Sequence, residues 1–283
     1  AKKMDWPGFL AFTAFMVSIL LALTFEAYGL SYRTIVNILL SSSLVSLVVF
    51  VLWELRSRHP LLDLRLFRVW GFTGGVIAQL LNAIAFGSVM LLFTLYFEVV
   101  KGVSAAGTGL LILPFDLFYI VFSLLGGKLS DKYGPVYFAI TGLFIGSAAL
   151  FILSGLTQST PNTVFILESV LLGAGNGLFV TPNNTAIMSS VPANRRGIAS
   201  ALRNVVFYLG LTLSLNLSVL LLSSRVSYSL ITKLVMSSKL DTATLESARS
   251  SLALAIGETF RVLGIINLSA AIFSFSRVKS STR

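Results

Sequence analysis

Hydrophobic and polar positions divide the chain into long apolar runs joined by shorter polar segments. Eight runs reach spanning length, roughly at residues 6–28, 34–54, 71–97, 110–127, 136–156, 163–182, 198–223 and 260–276. About 20 mainly apolar residues cross the hydrocarbon of a bilayer as a helix. The runs are continuous, whereas the strands of an outer-membrane barrel alternate lipid-facing and lumen-facing positions. The pattern predicts an all-α, polytopic transmembrane helix bundle of about eight spans. The first run is too long for a signal-peptide core and no small-residue cleavage site follows it, so it reads as a span.

Composition agrees with that class. Hydrophobic residues make up 55% of the chain and charged residues 11%, with a mean hydropathy of +0.89. Soluble domains carry roughly 25% charged residues, so a soluble globule and a disordered chain are both excluded. Lys and Arg number 21 against 11 Asp and Glu, a formal net charge of +10. The basic residues cluster between apolar runs, which points to the positive-inside rule rather than to nucleic acid. A cytoplasmic N-terminus places Lys2, Lys3, Arg56, Arg58, Arg65, Arg68, Lys128, Lys132, Arg195, Arg196, Arg277, Lys279 and Arg283 on the inner side. Both termini are then cytoplasmic, and the expected location is the cell membrane. The chain has no cysteine, and His59 is its one histidine, so thiolate chemistry and a multi-histidine metal site are excluded.

Two connections are long. Residues 56–70 form a basic, amphipathic crossing between spans two and three, which divides the chain into a two-helix unit (1–55) and a six-helix unit (71–283). Residues 224–259 lie outside in this orientation. There Asp241 is placed to cap a short helix bearing Leu245, Ala248, Leu252 and Ile256 on one face, lying on the membrane or over the bundle mouth.

The most specific motif joins spans four and five: Gly126-Gly127-Lys128-Leu129-Ser130-Asp131-Lys132-Tyr133-Gly134-Pro135. Glycines there permit a left-handed turn and close helix approach, and Asp131 is placed to accept from a helix N-terminus. An ordinary polar turn obeying the positive-inside rule is the plainer reading. The segment resembles the G-x-x-x-D-x-x-G signature of the major facilitator superfamily, found between the second and third helices of each six-helix half. Arg58-His59-Pro60-Leu61-Leu62-Asp63-Leu64-Arg65-Leu66-Phe67 is similar to the linker entering the second half in fourteen-helix drug:proton antiporters. Gly173-Ala174-Gly175-Asn176-Gly177, Pro182 and the run from Val191-Pro192 through Arg196-Gly197-Ile198-Ala199-Ser200-Ala201 resemble further signatures of that branch.

The resemblance implies the last eight helices of a fourteen-helix member: a C-terminal half preceded by the extra helix pair. It implies a small-molecule substrate and protons as transported partners, and no cofactor. The first six helices are absent from this stretch, so the missing N-terminal half, or a second half-unit, is an expected partner. The substrate site of such transporters lies near the midplane between halves. The implied gating loop is Gly127, Asp131, Lys132 and Gly134, with Arg196, Gly197 and Arg203 as helix contacts near the cytoplasmic side.

Polar groups within apolar spans are costly in lipid and are candidates for function. Asp116 lies about six residues into span four, roughly 9 Å deep, with Tyr119, Ser123 and Gly126 continuing its face. Glu168 lies roughly 8 Å into span six. Two acids at similar depth are placed to take turns carrying a proton; proximity to the interface is the alternative. Gln79 and Asn82 share a face of span three near the midplane, where substrate would sit, with interhelical hydrogen bonding as the alternative. Gly142 and Gly146 form a small-residue pair for close packing, and the 173–177 glycines follow no strand, which argues against nucleotide binding.

The reading is a proton-coupled secondary transporter exporting small amphipathic compounds. Its competitor is a non-transporting half-unit that pairs with or regulates another membrane protein. An intramembrane enzyme is disfavoured, since the spans offer no paired histidines, Ser/His arrangement or acidic metal cluster.

Overall fold

The computed structural model describes residues 5–28, 32–57, 64–226 and 242–278. The linker residues 58–63 with His59, the Asp241 cap, and the terminal charges Lys2, Lys3, Lys279 and Arg283 lie outside the described residues. The helices are α1 (Trp6–Tyr28), α2 (Arg33–Arg56), α3 (Trp70–Phe86), α4 (Val89–Thr94), α5 (Ala105–Tyr133), α6 (Pro135–Leu153), α7 (Asn162–Ser189), α8 (Arg196–Ser223) and α9 (Thr242–Val278). A 3₁₀ turn at Leu64–Arg68 enters α3, and a π-helical turn at Leu95–Val100 ends the α3–α4 span. Eight spans are long and apolar enough to cross a membrane, and no strand occurs among the described residues.

Helix α7 is the centre of the six-helix unit because its glycines face two neighbours. A Cβ added at Gly177 would lie 2.5 Å from the Tyr119 carbonyl oxygen of α5, and Gly173 meets the Phe115 carbonyl of the same helix. On the other side, a Cβ at Gly142 of α6 would lie 2.5 Å from Phe179 N and 2.6 Å from Gly175 O. Gly146 packs backbone to backbone on Gly175. With no hydrophobic force between helices in lipid, such close van der Waals approach is what holds spans together. From α7 the packing continues through α6 to α9, then α3, α8, and finally the α1–α2 pair. That pair carries its own contacts, Ser18 to Ser42 at 3.3 Å and Phe12 to Phe50 with ring centroids 5.2 Å apart. It meets the rest where Thr24 Oγ1 donates to Asn216 Oδ1 at 3.1 Å.

Three local structures differ from the hydrophobic pattern. The Leu245–Ile256 stripe does not form a separate surface helix, because residues 242–278 form one continuous 37-residue helix. Leu252, Ile256 and Ala248 are buried as that stripe requires, but within the main apolar cluster beside Phe93, Phe165 and Phe260 rather than on a membrane surface. At about 55 Å, α9 is much longer than a hydrocarbon core, so hydropathy registers only part of it. Likewise α5 begins at Ala105, capped by the Ser104 hydroxyl accepting from Gly107 N at 3.2 Å, and runs through the Leu129–Tyr133 stretch. The turn is confined to Gly134, whose φ of +88° suits glycine, with Pro135 opening α6. Span three is broken at Gly87–Ser88, where Ser88, Ser214 and Ser218 form a buried hydroxyl cluster at 2.6 and 3.0 Å.

Backbone-on-backbone packing leaves no room to relax. Gly177→Val is expected to lower stability by about 3 kcal/mol, whereas Gly109→Ala, where nothing lies within 4 Å of the added carbon, keeps or slightly raises it. Thermal unfolding of the purified variants in detergent checks both.

Candidate functional site

The sequence-selected polar residues separate into two environments. Asp116 is exposed on α5, among Leu113, Leu117, Ile120 and Leu124, which are also exposed. Because α5 starts at Ala105, Asp116 lies about 16 Å along the helix, deeper than the start of the apolar run suggested. Among the described residues no hydrogen bond or ion pair reaches it. Its face rotates toward α7 farther along: Tyr119 is half-buried, Ser123 hydrogen-bonds Thr181 of α7, and Gly126 packs on Pro182.

Glu168 belongs to the interior. It is 6% exposed, and its Oε2 has no hydrogen-bond partner. It lies close enough to Tyr96 of the π-helical turn to interact with it electrostatically. Gly173 sits at the level of Phe115–Tyr119 and Gly177 at that of Tyr119–Ser123, so the register sets Glu168 about one turn above Asp116. The structure therefore does not bring the two acids onto one face. Around Tyr96 an end cap is assembled: its hydroxyl donates to the Thr157 carbonyl at 2.8 Å, Lys101 Nζ donates to Thr160 O at 2.5 Å, and Arg249 Nε donates to Val99 O at 3.0 Å. Burial holds the Lys101 ammonium below the ordinary lysine range.

Gln79 and Asn82 are both buried within the six-helix unit. Asn82 Nδ2 donates to Asn267 Oδ1 at 3.0 Å, and Asn267 Nδ2 donates to Leu143 O at 3.1 Å and to Ser147 Oγ at 3.0 Å. This node ties α3, α9 and α6 together, so Asn82 serves helix packing. Gln79, whose Oε1 is unpartnered, is the freer of the two; Asn176 Oδ1 is likewise buried without a partner.

At the end bearing Arg56, Lys128, Lys132 and Arg195, Arg203 Nη1 donates to Asn184 Oδ1 and Nη2 to Asn204 Oδ1, each at 2.5 Å, linking α8 to α7. Arg196 lines an open hollow of about 420 Å³ with Asn184, Thr185, Met188 and Ser189. Gly197 is exposed with open space around it. In the gating segment, Lys132 lies 5.0 Å from the Tyr133 ring centre. Gly127 approaches Thr181, and Gly134 makes the turn. Asp131 is exposed in the last turn of α5, without a hydrogen bond among the described residues, rather than at a helix N-terminus.

Arg277, which the sequence places on the inner side just past the last apolar run, is enclosed within the bundle. It is 3% exposed in the last turn of α9, where Nη1 donates to Asn183 Oδ1 at 2.6 Å while Asn183 Nδ2 donates to Gly75 O at 3.1 Å. The absence of side chains at Gly74 and Gly75 makes room for the guanidinium. Asn267 lies within the last apolar run and is open to the same intramembrane-polar argument as Asn82. Asn183 and Arg277 are not, because each lies just past the end of a run.

The Major Facilitator Superfamily model matches residues 4–215. The uncharacterized MFS-type transporter YhcA of Bacillus subtilis is 28% identical over 184 residues, 65% of this chain and 35% of that protein. The riboflavin transporter RibZ of Clostridioides difficile is 28% identical over 213 residues, covering 74% and 45%. The multidrug resistance protein Stp of Mycobacterium tuberculosis is 28% identical over 217 residues, covering 75% and 40%. The chain thus spans less than half the length of these relatives. It belongs to the major facilitator superfamily.

If the Asn82–Asn267 bond ties helices, a double-mutant cycle with alanine at both positions gives a coupling of roughly 0.6–1.7 kcal/mol. Unfolding equilibria in detergent read it, and a coupling near zero contradicts the tie.

Proposed function

We propose that this chain is the C-terminal part of a fourteen-helix, proton-coupled exporter of small amphipathic compounds. In this reading α3–α9 are one transporter half, α1–α2 are the extra pair before it, and the basic end faces the cytoplasm. The observation that carries it is Asp116, a carboxylate on an exposed apolar face deep within a span. A charge on a lipid-facing surface is expensive, so such a residue belongs on a protein seam or a water-filled passage. A preceding six-helix half set against α5 and α8 supplies that seam.

The mechanism follows from what each environment permits. Rocking of the two halves around a midplane site alternately exposes Asp116 to either side, and its carboxyl picks up and releases the coupled proton. Tyr119, half-buried beside it, is suited to contact amphipathic substrate. Gln79 retains a free acceptor for an interior role, while Asn82 positions α3 through Asn267. Glu168, enclosed beneath the Tyr96 cap, contributes to the conformational balance rather than to direct exchange with Asp116. The segment with Gly127, Asp131, Lys132 and Gly134 holds one state by contacts to the opposing half, and Arg196, Gly197 and Arg203 form the neighbouring contact zone. Similarity to the mycobacterial multidrug resistance protein supports amphipathic compounds as the substrate class.

In the full-length protein, Asp116→Asn is expected to reduce proton-driven export at least about tenfold while its membrane level stays unchanged. Export of a fluorescent amphipathic cation from inverted vesicles under an imposed pH gradient measures this. Unchanged export with unchanged pH dependence refutes the coupling role. Export sustained by this chain alone refutes the need for a partner half.

A further inference from the structure

The end of the α1–α2 hairpin opposite the basic face holds a groove lined by none of the residues assigned above to transport. It encloses about 510 Å³ and is lined by Ala22, Leu23, Glu26, Arg33, Val36, Asn37 and Leu40. That volume falls within the roughly 300–1,000 Å³ of small-molecule sites. Its polar lining is confined to one acid, one base and one amide, and the remainder is apolar. Glu26 and Arg33 face the same hollow, yet neither forms an ion pair or hydrogen bond among the described residues. Around the groove, Leu21, Ile35, Ile38 and Leu44 are exposed apolar side chains, a surface suited to acyl chains.

We propose that this groove binds one zwitterionic phospholipid with a primary ammonium, a phosphatidylethanolamine, at the membrane interface. A single ion would satisfy only one of the two charges. A phosphoethanolamine headgroup satisfies both: its ammonium donates to the Glu26 carboxylate and the Asn37 side-chain oxygen, and its phosphate accepts from the Arg33 guanidinium. The proximal acyl carbons then lie on Leu23, Val36 and Leu40. A choline headgroup carries no N–H for Glu26, and a glycerol headgroup offers Glu26 only neutral hydroxyl donors, with no positive charge to meet the carboxylate. The groove thus selects on both charges, and it stands independently of whether the chain transports.

Native mass spectrometry of the delipidated full-length protein, titrated separately with POPE, POPC and POPG, tests this. One POPE is expected to be retained with affinity about tenfold above POPC and POPG. Glu26→Gln should abolish the preference for POPE over POPC. Arg33→Gln should weaken retention of both, and Glu98→Gln, an exposed acid elsewhere, should change nothing. Both groove residues are exposed, so their variants should unfold at the wild-type temperature, which is measured alongside. Equal retention of the three lipids, stronger retention of POPG, or an undiminished POPE preference in Glu26→Gln overturns the proposal.

Discussion

Close approach of α7 to two neighbours at once is the constraint from which the six-helix unit follows. Gly173 and Gly177, four residues apart, bring α5 into backbone contact, and Gly175 between them does the same for α6 through Gly142 and Gly146. Five missing side chains therefore set three helix positions. Once α6 is fixed, Asn267 bridges it and α9 to α3, and Arg277 closes the far end of α9 on Asn183. Polar bonds of this kind add modest energy in a membrane, but they choose the register in which apolar helices pack.

The same constraint explains what is left outside. An α5 drawn against α7 turns its other side outward, and that side carries an apolar row interrupted by Asp116. Elsewhere the deep polar side chains are mostly consumed: Asn82, Asn183, Ser88, Ser214 and Ser218 all have protein partners. Gln79 Oε1, Glu168 Oε2 and Asn176 Oδ1 are buried exceptions. Asp116 differs from these in facing outward, and a carboxylate there is stable only where another protein surface or water meets it.

Much of this was legible in the residues, and the failures share causes. Eight crossings follow from continuous hydrophobicity, and close packing of the 142–146 glycines follows from their spacing. Helix ends did not follow, because α5 and α9 continue as helices beyond the hydrocarbon, where charge no longer opposes them. Leu245, Ala248, Leu252 and Ile256 made a correct stripe assigned to the wrong element, since periodicity marks a buried face without saying what covers it. Similar sequence depth did not bring Asp116 and Glu168 together, because depth carries no information about rotation around the helix axis. The burial of Arg277 was not legible either, because its place depends on two glycines of α3, far away in sequence.

The most direct test asks what Asp116 faces. The chain's 283 residues contain no cysteine, so Asp116→Cys in the full-length protein introduces a single thiol into this part. Its labelling is measured in sealed vesicles at one fixed pH with two maleimides, one membrane-impermeant and water-soluble, the other lipid-soluble. A seam or water-filled passage at Asp116 predicts labelling by the water-soluble reagent, slowed by transported substrate. Labelling confined to the lipid-soluble reagent would place the residue in the bilayer and contradict the seam on which the mechanism rests.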